Sequence, residues 1–149
     1  MTSTAPAPQL NLPQLAPEQF QAQRALARSV ELDRRLRELV NMRVSQLNGC
    51  AFCLDMHAED ARAAGETQQR LDVVAGWREA PFFDARERAA LALAEALTTI
   101  ERGHVPEAVL EQASAHFDDE ELAQLLFAIA VINSWNRLML ASRTPPPAR

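Results

Sequence analysis

The residues of this chain best suited to chemistry are two cysteines and a histidine. Cys50 and Cys53, the only cysteines among the 149 residues, are three positions apart, and His57 follows four positions after Cys53. On a helix this spacing places all three side chains on one stripe. Two thiols so close can form a disulfide, and a neighbouring imidazole can take a proton from one of them or stabilise its thiolate. The pattern predicts thiol redox chemistry.

Two effects would favour the reactive thiolate, and they point to different sulfurs. Asn48 and Gly49 precede the pair and predict a helix start with Asn48 as its cap, so the positive end of the helix dipole favours an anion at Cys50. His57 is instead one turn from Cys53. We expect Cys53 to be the nucleophile, because a neighbouring base acts through a specific contact whereas a helix dipole acts diffusely.

Three other roles fit a pair of cysteines on a helix. The pair could consist of small core residues without chemistry. It could supply half of a zinc site with His57 as a third ligand, but structural zinc sites use four ligands, and neither His104 nor His116 has a paired spacing. A structural disulfide would close a loop too short to stabilise the fold much. Redox chemistry is the favoured interpretation, and we expect no metal.

The composition predicts a single helical domain. The chain is 48% hydrophobic and rich in Ala and Leu, with four Gly and no Tyr, which favours helices over strands. Its net charge of −5 and the lack of a basic run argue against nucleic-acid binding. The first residues have no signal-peptide pattern, and the longest apolar run, Leu125 to Ile132, is too short to span a bilayer. We therefore expect a cytoplasmic protein that does not contact a membrane.

Proline-rich ends flank the predicted helical domain. We expect a flexible arm over residues 1–16, a helical domain over residues 17–142 and a tail over residues 143–149, whose three consecutive prolines cannot continue a helix. Apolar periodicity, caps and stop signals predict the helices within the domain. They are expected at about residues 17–28, 32–47, 50–64, 67–75, 84–100, 106–116 and 118–140.

The last predicted helix carries two asparagines on its apolar face. Asn133 and Asn136 project onto the side expected to be buried, where amides are costly unless they are hydrogen-bonded. The pair therefore predicts a structural polar network, the lining of a pocket or part of an interface. Trp135 falls on the opposite face, which favours contact with a partner subunit. The apolar residues expected to be buried here are Leu122, Leu126, Ile129 and Leu140.

The residues around the cysteine pair resemble the signature of the AhpD-like alkylhydroperoxidases, within the carboxymuconolactone decarboxylase superfamily. That signature is a glutamate, a first cysteine twelve positions later, and the pattern C-x-x-C-x-x-x-H. Glu38, Cys50, Cys53 and His57 match its four positions. The resemblance spans about residues 20–140.

The resemblance implies an all-α, AhpD-like fold with the C-x-x-C motif at the start of a central helix. It implies a proton relay in which Glu38 and His57 activate Cys53, which attacks a hydroperoxide and becomes a sulfenic acid that Cys50 resolves as a disulfide. It implies no cofactor, and a thiol or a lipoyl-type protein as the reductant. Phe52 stands where some characterised peroxidases of the family have a histidine, so any secondary role of that histidine is absent here.

Helical periodicity alone gives a different expectation for Glu38. It places this residue opposite the main apolar stripe of its helix, near Arg34, Asn41 and Ser45, and so predicts a solvated or Arg34-paired glutamate. The relay role of Glu38 follows from the resemblance.

A homo-oligomer, a trimer or a hexamer, is also expected. Trp77, Phe82 and Phe83 fall in a predicted loop where a small domain would have difficulty burying them. With the outward Trp135, they predict an interface between copies of the chain.

Three functions are compatible with these features. The first, which we favour, is a thiol-dependent hydroperoxide reductase or disulfide oxidoreductase with an antioxidant role. The second is lactone decarboxylation, the chemistry of the other branch of the superfamily, which does not depend on this cysteine pair. The third is a redox-sensing oligomeric module without enzymatic activity. Asn133 and Asn136 are the candidate substrate-binding residues.

Overall fold

A computed structural model describes residues 10–149, and every regular element in that part of the chain is a helix. The predicted all-α fold is therefore confirmed. Two short 3₁₀ turns, Val74–Gly76 and Ile100–Arg102, extend the ends of longer helices. The α-helices are α1 (Leu12–Leu15), α2 (Pro17–Ser29), α3 (Arg34–Asn48), α4 (Ala51–Ala63), α5 (Gln68–Val73), α6 (Ala85–Thr98), α7 (Glu107–Ser114) and α8 (Asp119–Ser142).

Local capping chemistry sets where several of these helices begin. The carboxylates of Asp84 and Asp118 accept hydrogen bonds from the backbone three residues on, and Glu87 and Glu121 accept from the cap backbone in return. Both predicted capping boxes are thus present at the starts of α6 and α8. Thr67 caps α5, also as predicted.

The start of α4 differs from the prediction in one respect. Cys50, rather than Asn48, is the N-cap, and its Sγ accepts a hydrogen bond from the backbone N–H of Cys53 at 3.3 Å. Asn48 is the last residue of α3, and Gly49 follows it in the left-handed conformation, with φ of 70°. Glycine adopts this conformation without strain. The turn at Gly49 places the cysteine pair on the first turn of α4.

Helix α3 is the most enclosed element of the fold, because α4, α6 and α8 all pack against it. Leu39 and Val44 on its apolar stripe are fully buried. Glu38, Asn41 and Ser45, on the other side, are buried as well. The first turn of α3 stays exposed at Arg34 and Arg35, but beyond that turn the three neighbouring helices enclose it, so its buried polar residues must find partners inside the protein.

Helix α8 is the second core helix, and its buried face is rotated relative to the predicted one. Leu126 and Leu140 are 37% and 44% exposed, so the prediction that they are buried is wrong. Ile129 is fully buried, as predicted. The sequence pattern was ambiguous because apolar residues occur on both sides of this helix. The side chains that are buried on α8 are Leu125, Ala128, Ile129, Val131, Ile132, Asn136, Met139 and Ser142.

Among the described residues, α8 is the one helix long and apolar enough to cross a membrane by length and composition. Leu125, Ile129 and Ile132 on this helix pack against buried residues of α3 and α6. Its place in the core thus accounts for part of its apolar composition, while Leu126, Phe127 and Leu140 are exposed.

The arm predicted over residues 1–16 is partly helical where the structure describes it. One helical turn, α1, has Asn11 as its N-cap, and Leu12 packs beside the cysteine pair. Leu12 of this turn makes an apolar contact with the rest of the domain. Residues 1–9 lie outside the described part of the chain.

The tail over residues 143–149 continues α8 with no further helix, as its prolines predict. Its end returns to the outer face of α4. The guanidinium of Arg149 lies 2.8 Å from a carboxylate oxygen of Asp55 and 3.0 Å from one of Glu59.

The aromatic residues expected at a subunit interface are mostly buried within the chain itself. Trp77 and Phe83 are 5% and 4% exposed, in a core cluster shared by α3 to α6, and Phe82 is the one exposed aromatic residue of that loop. Trp135 is partly buried and meets Phe20 of α2 edge to face, with ring centroids 5.2 Å apart. The expectation that a small domain could not bury Trp77 and Phe83 is therefore wrong, whereas Phe82 is exposed and Trp135 is only partly buried.

Candidate active site

The cysteine pair lies at the N-terminal end of α4, where that helix meets α8. Cys50 and Cys53 form a disulfide with their Cα atoms 5.3 Å apart, and both residues are buried. Met139 and Trp135 of α8 pack around them. Because the pair occupies the first turn, the positive end of the helix dipole favours a thiolate in the reduced form.

His57 lies one turn after Cys53 and contacts Glu38 of α3. Its Nδ1 is 2.7 Å from Oε2 of Glu38, and both side chains are buried. The amide of Asn41 donates to the same carboxylate oxygen at 3.3 Å. The prediction from periodicity that Glu38 is solvated or paired with Arg34 is wrong, because α4 packs across the face of α3 that carries Glu38.

The surroundings of Glu38 hold its carboxylate in the ionised form. Burial disfavours the charge, but His57, the Asn41 amide and the Arg37 guanidinium, 3.6 Å from Oε1, outweigh it and lower the pKa of Glu38. An ionised carboxylate can only accept, so Nδ1 of His57 carries the hydrogen of this bond. The other ring nitrogen, Nε2, is then free to accept a proton.

A cavity of about 520 Å³ lies between α2, α3, α4 and α8. This volume is in the usual range of sites for small organic molecules. Glu38, His57 and Cys53 line the cavity, whereas Cys50 is not among its lining residues. Cys53 is therefore the sulfur better placed to meet a molecule held there. Most of the wall is apolar, formed by Phe20, Phe52, Met56, Val131, Ile132 and Trp135.

The two asparagines considered for substrate binding are not among the residues that line this cavity. The amide of Asn48 donates to the Oδ1 atoms of Asn133 and Asn136, at 3.0 and 2.9 Å. Asn136 in turn donates to Ser45 Oγ at 3.1 Å, and Asn133 to Thr98 Oγ1 at 3.0 Å. These hydrogen bonds form a structural polar network, one of the three roles predicted for the two asparagines. It ties the end of α3 to α8 and so supports the turn that leads into the cysteine pair.

Three residues at the site were not predicted as site residues from the sequence, although Asn41 was placed near Glu38: Arg37, Asn41 and Asp60. Asn41 is at i+3 from Glu38, and Asp60 is at i+3 from His57, so helical spacing from the known pair was the available signal. All three line the cavity.

Glu38, His57 and Asp60 each offer one possible metal-ligand atom, and these atoms lie within 4.8 Å of one another. Three such ligands with an open position are typical of a catalytic metal site. A cation bound to Nδ1 of His57 would have to replace the hydrogen that this nitrogen donates to Glu38, whereas Nε2 could bind one without breaking that bond.

The chain is similar in sequence to a known protein family and to a bacterial relative. Residues 15–96 match the model of the Carboxymuconolactone decarboxylase family. The chain is 46% identical over 110 residues to the uncharacterized protein YdfG of Bacillus subtilis strain 168, covering 74% of this chain and 75% of that protein.

Solved structures share the whole helical arrangement. The crystal structure of ATU0492 from Agrobacterium tumefaciens, a protein of unknown function with a suggested role as the antioxidant defence protein AhpD, superposes with a TM-score of 0.91. It is 36% identical, with 95% of this chain and 99% of that one covered. The alkylhydroperoxidase AhpD core of an uncharacterized peroxidase-related protein from Ralstonia eutropha JMP134 has a TM-score of 0.80 at 25% identity. The match covers 93% of this chain and 75% of that one. The debrominase Bmp8 shares the fold alone. It is 20% identical, with a TM-score of 0.79, and the match covers 89% of this chain and 73% of that one.

Proposed function

The chain belongs to the carboxymuconolactone decarboxylase family, in its AhpD-like group, and on that premise we propose that it reduces organic hydroperoxides with the Cys50–Cys53 pair, using a thiol reductant. One observation carries the proposal. The buried hydrogen bond between His57 and Glu38 lies one turn from Cys53, the cysteine that lines the cavity. A cysteine pair alone would support disulfide exchange, whereas a proton relay beside a cavity-lining thiol supports attack on a small substrate.

The first step consumes the peroxide. In the reduced protein, Nε2 of His57 takes the proton of the Cys53 thiol, and the Glu38 carboxylate stabilises the resulting imidazolium. The thiolate sulfur attacks the terminal peroxide oxygen, an S–O bond forms, and the O–O bond breaks. Cys53 becomes a sulfenic acid, and the departing alkoxide takes the proton from His57 and leaves as an alcohol.

The second step forms the disulfide seen in the structure. The sulfur of Cys50 attacks the sulfenic sulfur of Cys53, the S–O bond breaks, and the hydroxide that leaves takes the Cys50 proton to become water. Both cysteines are on one turn of α4, so this step requires no movement of one helix against another. A thiol or a lipoyl-type protein then supplies two electrons and two protons to restore the dithiol.

The other candidate functions use these residues differently. A lactone decarboxylase would not depend on the thiols, so its activity would survive the loss of Cys53. A redox sensor would form the disulfide once for each oxidation event without sustained turnover. The proton relay at the cavity wall favours the hydroperoxidase over both.

The deciding experiment measures peroxide consumption in the presence of a dithiol. Wild type should turn over many equivalents of an organic hydroperoxide, and Cys53→Ser should not. The matched control is Asp55→Asn, which changes a polar residue on the outer face of the same helix. Stoichiometric disulfide formation without turnover would support the sensor. Lactone decarboxylation that persists in Cys53→Ser would support the second function.

We further propose that the chain acts in the cytoplasm as a homotrimer or homohexamer. The cytoplasm maintains the thiol systems on which such a cycle depends. Support for association comes from exposed apolar residues on the outer side of α8, where Leu126 and Phe127 are 37% and 55% exposed. Adjacent exposed apolar side chains on one helix are typical of surfaces that a second subunit covers.

A further inference from the structure

Helix α2 contributes two positively charged residues to the wall of the cavity. Arg24 and Arg28 lie one helical turn apart, and both line the cavity. Within residues 10–149, neither side chain has a hydrogen bond or an ion pair. Both side chains are exposed to solvent, and like charges four residues apart on a helix repel each other slightly, so the pair adds positive charge to the cavity mouth without stabilising the helix.

The acidic residues of the cavity are grouped elsewhere, around His57. Glu38 and Asp60 each place an oxygen within 4.8 Å of a ring nitrogen of His57. The remaining cavity arginine, Arg37, lies 3.6 Å from Glu38. The cavity is therefore divided into an acidic end at the relay and a cationic stretch along α2, with apolar walls.

Helix α2 also fixes how far the two arginines lie from the cysteine pair. Phe20 contacts Trp135 and packs in the apolar cluster that contains Cys53. Arg24 and Arg28 follow Phe20 by four and eight residues, which is about 6 and 12 Å along the helix axis. A molecule whose reactive end is at Cys53 and whose body lies along α2 would bring its far end to these guanidinium groups.

We propose that the cavity accepts an amphipathic hydroperoxide with a carboxylate head group, which Arg24 and Arg28 bind while the apolar chain packs against Phe20 and Trp135. The inference rests on the proposed hydroperoxidase function and names its substrate class. A carboxylate fits because a guanidinium group can bind its two oxygens with two parallel hydrogen bonds. Arg24 and Arg28 are thus specificity-determining residues that act on the head group, away from the reacting bond.

The test compares a fatty-acid hydroperoxide with its methyl ester, which has the same chain without the charge. Their kcat/KM values are measured for wild type, for the double variant Arg24→Gln/Arg28→Gln and for Arg34→Gln. Arg34 is a matched control, since it is exposed, does not line the cavity and has no partner among the described residues.

In wild type and in Arg34→Gln, the acid should be preferred over the ester. The double variant should reduce this preference about tenfold, as expected for the loss of two solvent-exposed charge-assisted contacts. Added salt should lower kcat/KM for the acid in wild type but not in the double variant. An acid-to-ester ratio that is unchanged in the double variant would overturn the inference.

A binding measurement separates this inference from the proposed function. The parent fatty acid has no peroxide, so its calorimetric affinity depends on the head-group site and not on turnover. The double variant should bind it about tenfold more weakly than Arg34→Gln does. If neither hydroperoxide is consumed but this loss of affinity is seen, the hydroperoxidase proposal fails and the carboxylate site stands. Equal affinities in the two variants would refute the carboxylate site.

Discussion

Nδ1 of His57 lies 2.7 Å from Oε2 of Glu38, across the contact between α4 and α3, with both side chains buried. The two residues are 19 positions apart in the chain. A hydrogen bond of this kind orients the imidazole and stabilises its protonated form, as carboxylate–histidine pairs do in many active sites. The relationship leads to two separate expectations, one for reactivity and one for stability.

Removing the imidazole should slow the reaction of Cys53. His57→Ala should raise the pKa of the Cys53 thiol and lower the rate of peroxide attack about 10²-fold at neutral pH, because the base is lost. The pH dependence of alkylation of the reduced protein measures the first effect, and single-turnover oxidation measures the second. His116→Ala, outside the cavity, is the control. An unchanged pH profile would remove His57 from the mechanism.

Ionised Glu38 should stabilise the fold in a way that depends on pH. Its pKa is lowered on folding from an ordinary value of 4.5, so the native state prefers the carboxylate. That stabilisation is complete above pH 4.5 and is lost as the pH falls through the folded-state pKa. The melting temperature of wild type should therefore exceed that of Glu38→Gln at neutral pH, and the difference should shrink in acid.

The control for this pH dependence is Glu18→Gln on α2, an exposed glutamate outside the cavity. Its melting-temperature difference from wild type should stay small at every pH. A constant difference between wild type and Glu38→Gln from neutral to acidic pH would contradict the assigned ionisation of Glu38.

The two cysteines should have distinct roles. After one equivalent of hydroperoxide, Cys50→Ser should accumulate a sulfenic acid that a dione reagent traps, because the attacking thiol remains and the resolving thiol is gone. Cys53→Ser should yield no trapped product. Mass spectrometry of the labelled proteins reads out both results. Trapping in Cys53→Ser alone would reverse the roles assigned to the two sulfurs.

The amide network behind the cysteine turn should contribute to stability. Asn136→Ala removes an acceptor of Asn48 and a donor to Ser45 in a buried setting. We expect a loss of about 1–3 kcal/mol in the free energy of unfolding, since buried polar groups would lose their partners. Denaturant titration measures this loss. Leu140→Ala on the exposed side of the same helix should cost much less, and equal losses would argue against the network.

The proposed oligomer should depend on the exposed side of α8. Light scattering during size exclusion should give a mass that is a multiple of the 16.5 kDa chain. Phe127→Arg should reduce this mass, because a charge would have to be buried at an apolar interface. Arg102→Glu, on an exposed 3₁₀ turn, is the control. A monomeric wild type would contradict the proposal.

Much of the fold and part of the site could be predicted from the sequence because they depend on local interactions. The spacing of Cys50, Cys53 and His57 placed them on one helical face, and both capping boxes correctly located helix starts. A cap or a helical stripe involves residues within about one or two turns, so short stretches of sequence contain the necessary information.

Other features depend on which helices pack together, and the predictions made for them from helical periodicity were wrong. Glu38 was assigned to a solvated face by its position on α3, and only the resemblance linked it to His57. Leu126 and Leu140 were assigned to the buried face of α8 but are exposed, whereas Ile129 and Asn136, assigned to the same face, are buried. A single helix with apolar residues on two sides does not specify which side its neighbours cover.

The sequence by itself determined the chemistry available to this protein. Two thiols lie on one helical turn and an imidazole lies on the next, in an all-α chain. Tertiary structure alone decided that Glu38 meets His57, that Cys53 rather than Cys50 lines a cavity, and that Arg24 and Arg28 of α2 lie along it. The physical reason is that these relationships join separate helices. They arise from packing among many side chains at once, while a sequence pattern reports only on residues that are neighbours along one helix.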